Sequence, residues 1–188
     1  MTETITKAIK RPGVVPAFLT ALGVFAALLV IEFLKTLFST LSVIAASSLA
    51  GDYVGQVWFG LLVGSITGPL PIAIGIFLCF WQIAPIAPTL RLAHVVTRSI
   101  LAALVGGAVI WIATLAVQAV VEVSNTPFVT PASTVIGKLG SDLVLGLFGA
   151  LTLTVQYLPI TALAGILLWG WLQRHPLDKP VHGALDEV

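Results

Sequence analysis

WFGLLVGSITGPLPIAIGIFLCFW, residues Trp58 to Trp81, is the stretch whose reading decides the fold. It carries no charge and no sustained polar–apolar alternation, and roughly 20 apolar residues suffice for a helix to cross a hydrocarbon core about 30 Å thick. Gly60, Gly64 and Gly68 recur at helical spacing and leave a flat face that another helix backbone can approach closely. Pro69 and Pro71 follow at once, and a proline removes one helical hydrogen bond. The segment reads as a kinked membrane helix whose glycine face is buried against another helix.

Working outward, three more blocks reach spanning length: Val14 to Leu34, Ser99 to Val121 and Leu143 to Leu172, while the central block extends from Val54. Of 188 residues, 58% are hydrophobic and 9% charged, with a mean hydropathy of +1.08. A soluble domain carries about 25% charged residues, so the solvent of this chain is largely lipid. Nothing alternates consistently enough for a membrane β-barrel. The net charge of +1 removes any argument for a nucleic-acid partner. Cys79, the single cysteine, gives neither an intrachain disulfide nor a zinc cluster, and its apolar neighbours predict buried packing.

The charge bias sets the topology. Lys7, Lys10 and Arg11 precede the first block, which is longer than a secretory leader's apolar core and lacks a small-residue cleavage site, so it reads as a retained span. Four crossings place Lys7, Lys10, Arg11, Arg91, Arg98, Arg174 and Lys179 inside, against Lys35 and Lys138 outside, with both termini cytoplasmic at the cell membrane. A re-entrant hairpin at Thr67 to Pro71 is the rival. It would put Arg91 and Arg98 outside and strand non-helical backbone at membrane depth. The predicted organisation is a cytoplasmic arm over 1–13, a first hairpin over 14–82, a proline-punctuated cytoplasmic connector over 83–98, a second hairpin over 99–173 and a tail over 174–188. The half-polar segment Thr36 to Gly51 reads as an interfacial amphipathic helix on the outer face, with an outward extension of the first span as the competing reading.

Shifted by ninety positions, the first half lies on the second without a gap: Glu32 on Glu122, Asp52 on Asp142, Pro69 on Pro159, Gly75 on Gly165 and Trp81 on Trp171. Scarce residue types coincide here, and each unit holds two crossings, which predicts parallel repeats related by a pseudo-twofold along the membrane normal. The fold class expected is an all-α membrane protein of four transmembrane helices in two helical-hairpin repeats. The glycine face belongs to the first half alone, since Ala150, Thr154 and Leu158 stand opposite Gly60, Gly64 and Gly68.

Candidate residues follow from this frame. Glu32, Asp52, Glu122 and Asp142 form two repeat-related pairs on the outer side, where several oxygen ligands together would suit a hard cation. Helix capping is the simpler reading of Asp52 and Asp142, each placed at the start of a return helix. Glu32 and Glu122 stand at helix C-termini, disfavoured by the dipole; Lys35 relieves the first as an ion pair, whereas Asn125 stands in its place beside the second. No central acid is evident in the spans. Ser65, Thr67, Thr114, Gln118, Thr152, Thr154 and Gln156 are the polar groups at depth, available to line a path or to join helices. Pro69 and Pro159 would expose carbonyls one turn earlier, and broken helices of this kind coordinate ions in transporters. Trp81, Trp169 and Trp171 read as interface anchors. His94 has no second ligand nearby and reads as a headgroup or cytoplasmic contact.

Hydrolase, phosphate-loop and zinc-protease motifs are absent, and no cofactor is implied. The expected function is that of a non-enzymatic transport component in the lipid bilayer, working as a homo-oligomer or with a larger membrane-protein partner. The alternative is a structural or accessory subunit without transport of its own.

Overall fold

The computed structural model describes residues 13–46, 53–125 and 132–175, and the regular structure among them is helical. Helix α1 covers Val14–Ala46, α2 covers Tyr53–Thr67 and α3 covers Pro69–Leu78, followed by a π-helical turn at Cys79–Ile83. Helix α4 covers Leu92–Asn125 and α5 covers Ala132–Arg174. Among the described residues four stretches are long and apolar enough to cross a membrane: Val14–Ser42, Trp58–Ile83, Leu92–Ala119 and Gly140–Arg174.

Helix α1 continues through the described part of the Thr36 to Gly51 segment, as far as Ala46, where an amphipathic interfacial helix is expected from the sequence. Its extension to Ala46 corrects that reading in favour of the competing one. From Val24 to Ala46 the sequence holds neither glycine nor proline to turn the chain. The hydroxyls there fold back onto their own helix, Thr40 Oγ1 donating to the Thr36 carbonyl at 2.8 Å and Ser42 Oγ to the Ser39 carbonyl at 2.7 Å.

The kink in the second crossing lies where the sequence placed it. Gly68 leaves the helical region with φ −120° and ψ −81°, and Pro69 opens α3. Proline cannot donate to the Ser65 carbonyl and pushes its predecessor out of the helical region, which a glycine accepts readily. Pro159, by contrast, sits inside the unbroken α5, preceded by Leu158. The ninety-residue shift therefore carries the proline but not the break. Residues 47–52 lie outside the described residues, and their counterparts at 137–142 lie inside α5.

Helix α4 packs against both α3 and α5. Its approach to α3 is a backbone-on-backbone crossing. A Cβ added at Gly75 would lie 2.6 Å from the Gly106 nitrogen, and one added at Gly106 would lie 3.2 Å from the Ile72 carbonyl oxygen. Against α5, Gly107 faces the buried Thr154, and Gly165 faces the buried Ser99 with the serine Cβ 3.2 Å from the added atom. Small residues at these positions let the helices close, which is the mode of packing available when lipid surrounds the bundle.

The close-packing face predicted on Gly60, Gly64 and Gly68 is not where the chain uses its glycines. A Cβ at Gly60 or Gly64 meets nothing within 4 Å, and of the three only Gly68 is buried. The reason is positional: α2 lies beyond the break, where no described helix covers that face, whereas α3 is pressed onto α4 at Gly75.

At the end where α1 begins and α5 finishes, the connector is shorter than expected, because α4 begins at Leu92. The remaining residues are tucked under the bundle, with Ala84, Pro85 and Ile86 buried. The Arg98 guanidinium donates to the Pro85 carbonyl, and Trp169 Nε1 donates to the Leu90 carbonyl at 3.0 Å. Trp81 stacks on Phe77 at 5.2 Å. Of the three predicted anchors only Trp171 is exposed, stacked on His175 at 4.9 Å.

Candidate functional site

The midpoints of the four apolar stretches define a layer. Tyr157 is the midpoint of Gly140–Arg174 and Leu28 that of Val14–Ser42. Glu32 lies four residues past Leu28, about 6 Å along the axis. Because α1 continues to Ala46, Glu32 stands well inside a helix and not at its C-terminus, and the dipole does not disfavour its charge there. No central acid is evident from the sequence; in the structure Glu32 lies within about a turn of the midpoint of its apolar stretch.

Tyr157 supplies what a carboxylate needs at such a depth. Its side chain is 1% exposed, and its hydroxyl donates to Glu32 Oε1 at 2.9 Å, a contact between residues 125 positions apart. From the other side Lys35 Nζ donates to Oε1 at 2.9 Å and to Oε2 at 3.2 Å. The Glu32–Lys35 pair expected from the spacing is thus present, with the lysine half exposed and the glutamate side chain 18% exposed. A charge removed from water is costly unless paired and hydrogen-bonded, and both conditions are met.

The helix break completes the site. A Cβ added at Gly68 would lie 3.2 Å from the Tyr157 hydroxyl and 3.3 Å from the Gly64 carbonyl oxygen, so the phenol head sits directly over the break. Around it the Ser65 carbonyl has lost its usual donor to Pro69. A carboxylate, a phenol, an ammonium and an interrupted backbone therefore meet among the apolar stretches of three helices. Such a group can hold and release a proton or a small cation, or bind a polar solute.

The other predicted residues do not assemble there. Thr154 is buried against Gly107 and donates to the Ala150 carbonyl at 2.7 Å; Thr152 is exposed and donates to the Phe148 carbonyl at 2.9 Å. Gln156 is exposed on the outer surface of α5, as is Pro159. The Oε1 of Gln118 is buried without a hydrogen-bond partner. Ser65, Ser99 and Thr161 likewise bond carbonyls of their own helices. These hydroxyls are satisfied locally and form no chain of donors across the bundle.

Asp142, read as a cap, lies in the interior of α5, so the capping role does not apply to it. The Glu122 side chain and all of Asp52 lie outside the described residues. Among the described residues no three His, Cys, Asp or Glu side chains gather as a metal site. His94 is exposed near the start of α4, and Cys79 is buried.

Sequence reasoning counts Tyr157 among the hydrogen-bonding residues of the second return span but does not connect it with Glu32. The signal available was modest: one of two tyrosines in the chain, set in an apolar run where a buried phenol must find a partner. Comparison of the chain with protein-family models, with curated proteins and with solved structures returns no match.

Proposed function

We propose that this chain is a non-enzymatic transport component of the cell membrane, with both termini cytoplasmic, and that its substrate or coupling ion is handled at Glu32. The observation that carries the reading is the Glu32 carboxylate, held by Tyr157 and Lys35 against the Gly68–Pro69 break near the middle of the apolar layer. Ionisable groups at such depth are expensive and mark ion or substrate pathways, and interrupted helices supply the polar backbone that such sites use.

The bundle alone serves as one wall of the path. Gln156 presents a polar side chain outward beside the mid-span residue Tyr157, where hydrocarbon cannot satisfy an amide. Gly60 and Gly64 likewise leave an open face. Both features call for another polypeptide, a second copy or a larger membrane protein. The ninety-residue coincidence fits a duplication whose halves diverged, one keeping the break and the other the tyrosine.

Flux in liposomes containing the purified protein is the test. Glu32→Gln keeps the shape and removes the charge, and it is expected to abolish flux while leaving thermal stability within about 1–2 kcal/mol of the native value. Native flux in Glu32→Gln would sink the assignment. Gln156→Leu and Gly64→Leu are expected to shift the assembly toward smaller species in mild detergent. No flux from the protein alone, combined with co-purification of a larger complex that Gly64→Leu breaks, would favour the accessory-subunit reading.

A further inference from the structure

A groove of about 540 Å³ opens between α1 and α5. Its walls include Val15, Leu19, Gly23 and Ala27 on α1 and Leu163 and Leu167 on α5. The volume falls in the range of small-molecule sites, roughly 300–1,000 Å³. Apart from the Trp171 indole at one end and Thr20, whose hydroxyl is already committed to the Pro16 carbonyl at 2.8 Å, the lining is hydrocarbon. Between Thr20 and Ala27 nothing in the walls asks for a polar ligand.

Its extent along the bundle is more telling. Val15 to Ala27 spans about 18 Å of helix, close to the depth of one leaflet, about 15 Å. The groove stops at Ala27 and Ile160, beside the mid-span residues Leu28 and Tyr157. Above that level α1 and α5 are tied together by the Tyr157–Glu32 hydrogen bond. A crossing helix from a second chain would need a channel through both leaflets, whereas a lipid tail needs only one.

The mouth of the groove carries matching charge. Trp171 lines it, and Arg174 follows in the last turn of α5 on the same helical face as Leu163 and Leu167, exposed. His175 stacks on Trp171 at 4.9 Å. Tryptophan and arginine at that level suit the headgroup region, and a cation there favours an anionic headgroup.

We infer that the α1–α5 groove is a binding site for an anionic phospholipid of the leaflet facing the chain termini, its acyl chain seated along Gly23 and Ala27 and its phosphate at Arg174. This rests on the membrane placement of the four helices and not on transport through Glu32.

Native mass spectrometry of the full chain, released from mixed micelles with phosphatidylglycerol or phosphatidylcholine, reads the site directly. Phosphatidylglycerol is expected to stay bound in preference to phosphatidylcholine by about fivefold, the order that one surface arginine supplies. A Cβ at Gly23 meets nothing within 4 Å, so Gly23→Leu fills the groove without disturbing a neighbour and is expected to lose both lipids. Ala27→Leu, also on the exposed wall, is expected to do the same and carries the test if Gly23→Leu fails to fold. Arg174→Gln is expected to retain lipid with the preference gone, and Glu32→Gln to bind as the native protein does. Full retention in the folded groove variants, an unchanged preference in Arg174→Gln, or efficient disulfide dimers of Ala27→Cys in membranes would overturn the assignment. The last outcome would give the groove to a second copy.

Discussion

Gly75→Ala is expected to cost about 3 kcal/mol of stability, the upper end of what overpacking usually costs, read as a lower thermal midpoint of the purified protein in mild detergent. The added methyl would lie 2.6 Å from the Gly106 nitrogen, and backbone atoms cannot rotate aside as a side chain can. Helices α3 and α4 must separate, and with them Ile72 and Ile76, both fully buried, lose their packing. Gly60→Ala is the matched control. Its methyl meets open space, and alanine is favoured over glycine in a helix by up to about 1 kcal/mol, so the midpoint should hold or rise. Equal midpoints for the two variants would mean that the glycine crossing does not hold the bundle.

Removing the acid from the central cluster is the second large effect. Glu32→Ala leaves the Tyr157 hydroxyl, itself in a 1% exposed side chain, without its acceptor, and an orphaned buried polar group costs about 1–3 kcal/mol. Tyr157→Phe removes the donor but leaves Glu32 its lysine, and a hydrogen bond to a charged group is worth about 1.5–3 kcal/mol. The double variant should cost less than the two singles together, with a coupling of about 0.5–3 kcal/mol. Lys35→Met should matter less, since that ammonium is half exposed and such pairs contribute about 0–1 kcal/mol. Strict additivity of Glu32→Ala and Tyr157→Phe would show that the contact contributes nothing to the fold.

The Gly75–Gly106 crossing explains why spacing points to close-packing glycines as a class but not to those that meet another helix of this chain. Spacing identified Gly60, Gly64 and Gly68 because four-residue intervals put them on one helix face. Which face meets a neighbour depends on where a helix from elsewhere in the chain arrives, and α4 arrives at Gly75 through Gly106. Adjacent Gly106 and Gly107 serve two partners at once, α3 and α5, which no single-helix spacing rule identifies.

The polar residues divide in the same way. Helical periodicity put Thr152, Thr154 and Gln156 in one span, yet only Thr154 turns inward, because successive residues of a helix point about 100° apart. Glu32 was legible as an acid with a nearby lysine at the third position, a contact within one helix. Its depth was not, because that depended on α1 continuing past Thr36 to Ala46.

The sequence by itself determined that this is an all-helical chain with four apolar stretches of spanning length, a kink at Gly68–Pro69 and a Glu32–Lys35 pair. Each of these depends on residues within a few turns of one another, through apolar length, a missing N–H or a third-neighbour contact. The tertiary structure alone decided that Tyr157 meets Glu32, that Gly75 meets Gly106 and that no described helix packs on the Gly60–Gly64 face of the opening stretch. Those outcomes depend on how helices distant in the chain cross, which is set by the packing of whole faces against one another and is written in no single segment.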